Sequence, residues 1–249
     1  MTAKESDFGD RGAAIVIGAG ESTGGAIARR FAREGYTACV VRRNGDQLAD
    51  LVKAIEVEGG AARAFGCDAR DEDQVEALFD QVESEVGPVE VAVFNPGANV
   101  NFPIREMTSR VYRKVWEMAC FAGFLTGRAA ARRMVPRERG TILFTGATAS
   151  LRGGAGFAAF AGAKHALRAL AQSMARELGP QGVHVAHVVI DGAIDTPWIR
   201  ENFPQLVESR PADGLLAPDE IAANYWMLHA QSRSAWTFEL DLRPYLESW

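Results

Sequence analysis

Apolar residues recur along this chain in two alternating signatures. Short, nearly unbroken hydrophobic runs lie at 13–17, 37–41, 61–66, 89–94, 141–145, 183–190 and 235–242, and each gives way to glycine or polar residues. Runs of that length and continuity predict strands buried on both faces of a parallel sheet, although 61–66 is weakly apolar and 235–242 alternates Trp236, Phe238 and Leu240 with polar partners. Between the runs, apolar positions return every three or four residues. Ala26, Ile27 and Phe31 share one helical face ahead of Gly35, and Leu48, Leu51, Val52 and Ile55 do so within 46–58, which Gly59 and Gly60 end. Val75, Leu78, Phe79 and Val82 mark a third helix, residues 108–134 and 158–178 two long ones, and Pro218-Asp219-Glu220 opens a helix over 218–229. Strand and helix alternating from end to end predict an α/β fold with a doubly wound parallel sheet covered by helices on both faces. With no repeat, low-complexity tract or linker, the expectation is one domain over 1–249, carrying a proline-containing insert at about 195–217.

Composition narrows the function classes. The net charge of −5 and pI near 5.5 argue against nucleic acid or an anionic membrane as the main partner. Cys39, Cys67 and Cys120 are too few and too scattered for a disulfide framework or a metal cage, and their apolar surroundings suggest reduced core residues. No run of 18 apolar residues predicts a membrane span, and the polar start MTAKESDFGDRG lacks the apolar stretch of a secretory signal, so a cytoplasmic location is expected.

The candidate chemistry lies just past the strands, where open α/β sheets place their ligands. The run 13–17 opens into GAGESTGG and then a helix. Backbone N–H groups at a helix start attract pyrophosphate, and glycine lets the chain approach it. The run 37–41 ends in Arg42-Arg43-Asn44, with no acid to accept from a ribose hydroxyl. Two guanidinium groups suit a 2′-phosphate instead, favouring NADP(H), against the plainer alternative of a solvated basic loop. Residues 140–164, GTILFTGATASLRGGAGFAAFAGAK, run from a strand through a small-residue loop into an alanine-rich helix that carries Lys164.

In this order the motifs resemble the short-chain dehydrogenase/reductase family, over roughly residues 12–242. The resemblance implies a Rossmann-type sheet and hydride transfer between a nicotinamide and a carbonyl or alcohol. Of the family's three glycines in the first turn, Gly18 and Gly24 match while Ser22 takes the middle place, beside Thr23. Asp68 stands where the family touches the adenine amino group, or else caps the helix starting near Asp71. Asn95-Pro96-Gly97 replaces Asn-Asn-Ala-Gly: Asn95 is expected to tie strands together and Gly97 to keep the loop slim beside the cofactor. Gly192, Ile194 and Thr196 match the nicotinamide-side motif, in which the threonine bonds the carboxamide, while Asp191 replaces proline. Lys164 matches the catalytic lysine. The tyrosine four residues before it is Phe160, the position thirteen residues earlier is Ala147, and the relay asparagine of the long helix is Ala119. The pair of long helices implies a homodimer or homotetramer, and the insert implies a substrate lid with Trp198, Ile199 and Phe203 as pocket walls.

Phenylalanine exchanges no proton, and a positioned acid contributes about 10²–10⁴-fold to rate. The substitutes within the loop are the hydroxyls of Thr148 and Ser150, which could orient a substrate or hold a water polarised by Lys164, Thr148 being nearer the family position. Asp191 offers a carboxylate or a loop-bonding group. His165 lies about 140° around the helix from Phe160 and should face solvent or a neighbouring subunit, and Tyr112 would need an unusual geometry to reach in. Two readings follow: an NADP(H)-dependent oxidoreductase with an altered proton relay, or a non-catalytic NADP(H)-binding relative acting as sensor or silent subunit. No metal site is expected.

Overall fold

The computed structural model describes residues 11–248, so the expectation about the polar first ten residues falls outside it. Seven strands form one parallel sheet: β1 Ala13–Ile17, β2 Thr37–Arg42, β3 Ala61–Gly66, β4 Val89–Phe94, β5 Gly140–Thr145, β6 Val183–Ile190 and β7 Glu239–Leu242, in the order β3-β2-β1-β4-β5-β6-β7. The chain runs outward from β1 to β3, then returns to β4 on the other side of β1. This reversal opens a crevice at the carboxyl ends of β1 and β4.

Successive strand residues point to opposite faces, so a sheet covered on both sides must be apolar at every position. Thus Ala13, Ile15 and Ile17 enter one core, packed by α3 Glu72–Glu85, α5 Ala122–Met134 and α6 Ala158–Leu178. Ala14 and Val16 enter the other, packed by α1 Thr23–Arg33, α2 Ala49–Val57 and α9 Pro218–His229. The three cysteines are buried and unpaired.

Three expectations need correction. The helix expected over 108–134 runs without interruption from Ser109 to Met134, but as α4 Ser109–Trp116 and α5 with a π-helical turn at Glu117–Phe121 between them. The last strand begins only at Glu239. Trp236 turns aside to stack on His184, with centroids 4.8 Å apart, and Arg233–Ala235 forms a 3₁₀ turn. The helix expected over 46–58 starts late, after a 3₁₀ turn at Gly45–Leu48 that the Asn44 side chain caps. The insert folds as two short helices, α7 Pro197–Asn202 and α8 Pro204–Ser209. No helix among the described residues is long and apolar enough to cross a membrane.

Candidate active site

The carboxyl ends of β4, β5 and β6 and the start of α1 enclose a cavity of about 650 Å³. Glycine is required in the turn below it. Gly18 has φ +84°, and a Cβ on Gly24 would lie 2.5 Å from the Gly18 carbonyl oxygen. Helix α1 therefore starts against the strand end, with its first N–H groups at the crevice. Ser22 caps this helix, accepting from the Thr23 N–H at 2.6 Å. Both residues line the cavity, and the buried Thr23 hydroxyl has no hydrogen-bond partner among the described residues. Gly97 borders the same space, and a Cβ there would touch nothing within 4 Å.

The floor is held by a polar chain. Tyr225 Oη and Thr145 Oγ1 lie 2.6 Å apart, Thr145 donates to Asn95 Oδ1 at 3.0 Å, and Asn95 Nδ2 donates to the Gly18 carbonyl at 3.2 Å. Asn95 thus links β1, β4 and β5. Above this floor Lys164 is 2 % exposed. Its Nζ donates to the carbonyl oxygens of Thr145 (2.8 Å) and Pro96 (3.2 Å), which leaves one of its three N–H groups uncommitted. Burial lowers its pKa to about 8, with the nearby Cys120 thiol opposing. An ammonium so tuned exchanges protons near neutrality.

The surroundings of Lys164 are apolar where a relay would need hydroxyls and an amide. Phe160 packs one helical turn away, its ring centroid 5.9 Å from Nζ, and shares a buried cluster with Ala119, while Ala147 lies at that cluster's edge. Ser150 is fully buried, accepts the Ala147 N–H at 3.1 Å and is absent from the cavity wall. Thr148 lines the cavity but gives its single proton to Asp191 Oδ1 at 2.5 Å. It therefore meets a ligand as an acceptor. Asp191 is 1 % exposed and also pairs with Arg152 and Arg243.

A second cleft continues past Gly18 and Asn95 to the end of β2. Arg42 and Arg43 line it, exposed, and neither side chain makes a hydrogen bond or ion pair among the described residues. Asp68 lies there too, gripped by Arg70 through Nε to Oδ1 (2.8 Å) and Nη2 to Oδ2 (2.5 Å). That bidentate hydrogen bonding, chiefly, lowers the Asp68 pKa. The cap of α3 is Asp71, not Asp68. Gly192 and Ile194 reach the first cavity, whereas Thr196 caps α7 by accepting the Ile199 N–H at 3.1 Å.

The expectation that Trp198, Ile199 and Phe203 wall the pocket fails in this conformation. None lines the cavity. Trp198 and Phe203 pack edge to face, 60 % and 47 % exposed. Their apolar partner is each other, because α7 and α8 stand away from the sheet. His165 is exposed and bonds the Ala161 carbonyl, and Tyr112 lies outside over Gly162. His184 and His187 serve packing: Nε2 of the first meets the Thr237 carbonyl at 2.8 Å, and Nδ1 of the second meets Glu239 at 3.0 Å. Among the described residues no group of His, Cys, Asp and Glu could hold a metal.

Sequence reasoning missed Arg152 and Arg70. Each is one arginine among many in a charged chain, and only proximity to an aspartate 39 residues away, or two, makes it distinctive.

Comparison with known proteins agrees with this geometry. A family profile described as short chain dehydrogenase matches residues 12–206. A crystal structure of a short-chain dehydrogenase from Rhodopseudomonas palustris is 52 % identical with a TM-score of 0.81, covering 94 % of this chain and 99 % of the other. A metagenomic short-chain oxidoreductase crystallised with NADP is 27 % identical with a TM-score of 0.80, over 94 % and 98 % of the two chains. The 1-deoxy-11-beta-hydroxypentalenate dehydrogenase of Streptomyces exfoliatus is 31 % identical, over 86 % of this chain and 78 % of its own.

Proposed function

The chain belongs to the short-chain dehydrogenase/reductase family, and on that premise we propose that it is an NADP(H)-dependent oxidoreductase interconverting a carbonyl and an alcohol. In this reading Lys164, rather than a phenol, is the proton source. The observation that carries it is the buried ammonium with one N–H uncommitted beside the cavity, its pKa drawn down to about 8.

Several features support a dinucleotide here. The partnerless Thr23 hydroxyl and the helix N-terminus suit a pyrophosphate, with Ser22 at the cap and Gly24 admitting the close turn. The open space beside Gly97 suits the cofactor's passage between the two clefts. Arg42 and Arg43 would hold a 2′-phosphate through charge-assisted hydrogen bonds, beside the Arg70-bound Asp68 at the adenine end. Gly192, Ile194 and Thr196 would border the nicotinamide. When bound, NADPH supplies the hydride.

The chain's own part is the proton. At pH 7 Lys164 remains mostly protonated, yet its N–H is more acidic than an ordinary lysine's. The difference from 10.5 to about 8 eases transfer by roughly 3 kcal/mol. Nζ would give this proton to the substrate oxygen, directly or through one water. Thr148, its proton committed to Asp191, would accept a hydrogen bond from the substrate hydroxyl, whose proton in the reverse direction would go to the neutral Lys164 Nζ, while Ser150 supports the loop from behind. A homodimer or homotetramer belongs to the same proposal, through the α4–α6 side where Trp116 and Phe124 are exposed.

The test combines NADPH titration with turnover on a panel of aldehydes and ketones. Saturable binding with turnover, and a loss of about 10²-fold or more in kcat/KM for K164Q, are expected. Turnover that survives K164Q ends the lysine assignment. The second reading, a non-catalytic NADP(H)-binding relative, is favoured by the apolar side chains of Ala119, Ala147 and Phe160 around the lysine. It predicts binding with no turnover across the panel.

A further inference from the structure

The cavity wall carries two charged side chains among the described residues, Lys164 and Arg152, and both are cationic. Lys164 is sunk in the floor with two of its donors spent on carbonyls. Arg152 is different: its side chain is 44 % exposed while it lines the cavity. Its guanidinium is held from behind, Nη2 to Asp191 Oδ1 at 3.2 Å and Nη1 to Oδ2 at 3.3 Å. Asp191 does not depend on these long bonds, since Thr148 donates to Oδ1 at 2.5 Å and Arg243 lies 3.3 Å from Oδ2. The pairing therefore orients Arg152 more than it neutralises a stranded carboxylate. Two of five N–H groups are engaged, and three remain for a ligand. No side chain screens them on the following residue: Gly153 comes next, and a Cβ there would meet nothing within 4 Å.

We propose that Arg152 anchors a carboxylate on the substrate, so that the substrate class is a carbonyl or alcohol carrying an acidic group on an apolar body. This rests on the oxidoreductase reading above. The acid is matched by a fork of donors already fixed in place, which lowers the ordering cost of binding. The apolar body is matched by Phe157, Phe160 and Ile190, large apolar side chains on the same wall. A neutral substrate would leave a desolvated guanidinium facing it, and an amine would meet like charge.

The experiment uses 4-formylbenzoate and its methyl ester, two aldehydes that differ in charge and little in shape. With NADPH present, kcat/KM for the acid should exceed that for the ester by roughly 10- to 100-fold, the range of a charge-assisted hydrogen bond. R152Q should collapse this ratio toward one, mainly through KM for the acid. R152K, which keeps the charge but loses the fork, should fall between. NADPH affinity should be unaltered in both variants. Equal turnover of acid and ester by the wild type overturns the inference while the oxidoreductase reading stands. Loss of NADPH affinity in R152Q overturns it too, assigning Arg152 to the cofactor. If neither aldehyde is reduced, calorimetric titration of 4-formylbenzoate into NADPH-saturated protein decides. Saturable binding abolished by R152Q upholds the anchor and sinks the oxidoreductase reading; binding that is absent or insensitive to R152Q sinks the anchor.

Discussion

The substitution F160Y puts one hydroxyl back beside Lys164, and its effect can be worked from the geometry. The Phe160 ring lines the cavity and is 8 % exposed, and its centroid lies 5.9 Å from the lysine Nζ. At that separation and an effective dielectric of about 20, a unit positive charge favours a phenolate by about 2.8 kcal/mol, or about two pKa units. Burial of the ring opposes part of this, so a phenol starting near 10 would titrate between about 8 and 10, low enough to serve as acid or base. A positioned acid contributes about 10²–10⁴-fold, and the lower end is expected here, because Ala147 supplies no hydroxyl to share the substrate oxygen. The assay is NADPH oxidation with a simple aldehyde across pH, wild type against F160Y, with NADPH affinity measured for each. Expected is a rise in kcat/KM of about 10²-fold, with a profile that falls as pH climbs through this range and the phenol loses its proton. Unchanged NADPH affinity with a rate within about threefold of wild type would refute the reasoning. The missing phenol would then not be the chief deficit of this site.

Further outcomes follow from other parts of the structure. R42Q and R43Q should each weaken NADPH binding about 10- to 100-fold and leave NADH binding unaltered, as fluorescence titration would report, since in the proposed mode only the 2′-phosphate would meet these side chains. G24A should cost both fold and cofactor, about 1–3 kcal/mol by chemical denaturation with NADPH affinity reduced, because its Cβ would press to 2.5 Å from the Gly18 carbonyl. Stability should also fall on acidification. Burial lowers the pKa of His187 and of His229 to about 4, against 6.5 unfolded. The unfolded chain thus binds protons first, and stability is full above about pH 6.5 and lost progressively toward pH 4. The loss approaches about 3 kcal/mol for each histidine. Urea melts at pH 7, 6, 5 and 4 check this, and H187N should flatten the slope.

The strands, their parallel pairing and the glycine turn after β1 were legible in the sequence because they rest on local physics. A strand buried on both faces must be apolar throughout, as 13–17 and 89–94 are, and a turn at φ +84° needs the glycine found at Gly18. Lys164 was legible through the family resemblance, and helical spacing then places it one turn from residue 160. The identity of residue 160 also showed at once that no phenol is present. Tertiary structure alone decided the rest. Whether Thr148 donates to a substrate or to Asp191 depends on β6 ending beside the loop after β5, a distance of 43 residues in sequence and 2.5 Å in space. The same approach turned Arg152 from one arginine among many into a fixed donor on the cavity wall, and folding gave Asp68, read in sequence as an adenine contact or a helix cap, a bidentate partner in Arg70. Hydroxyls, carboxylates and guanidinium groups hold a single, short-ranged bond or two, and which partner wins is set by packing that no periodicity records.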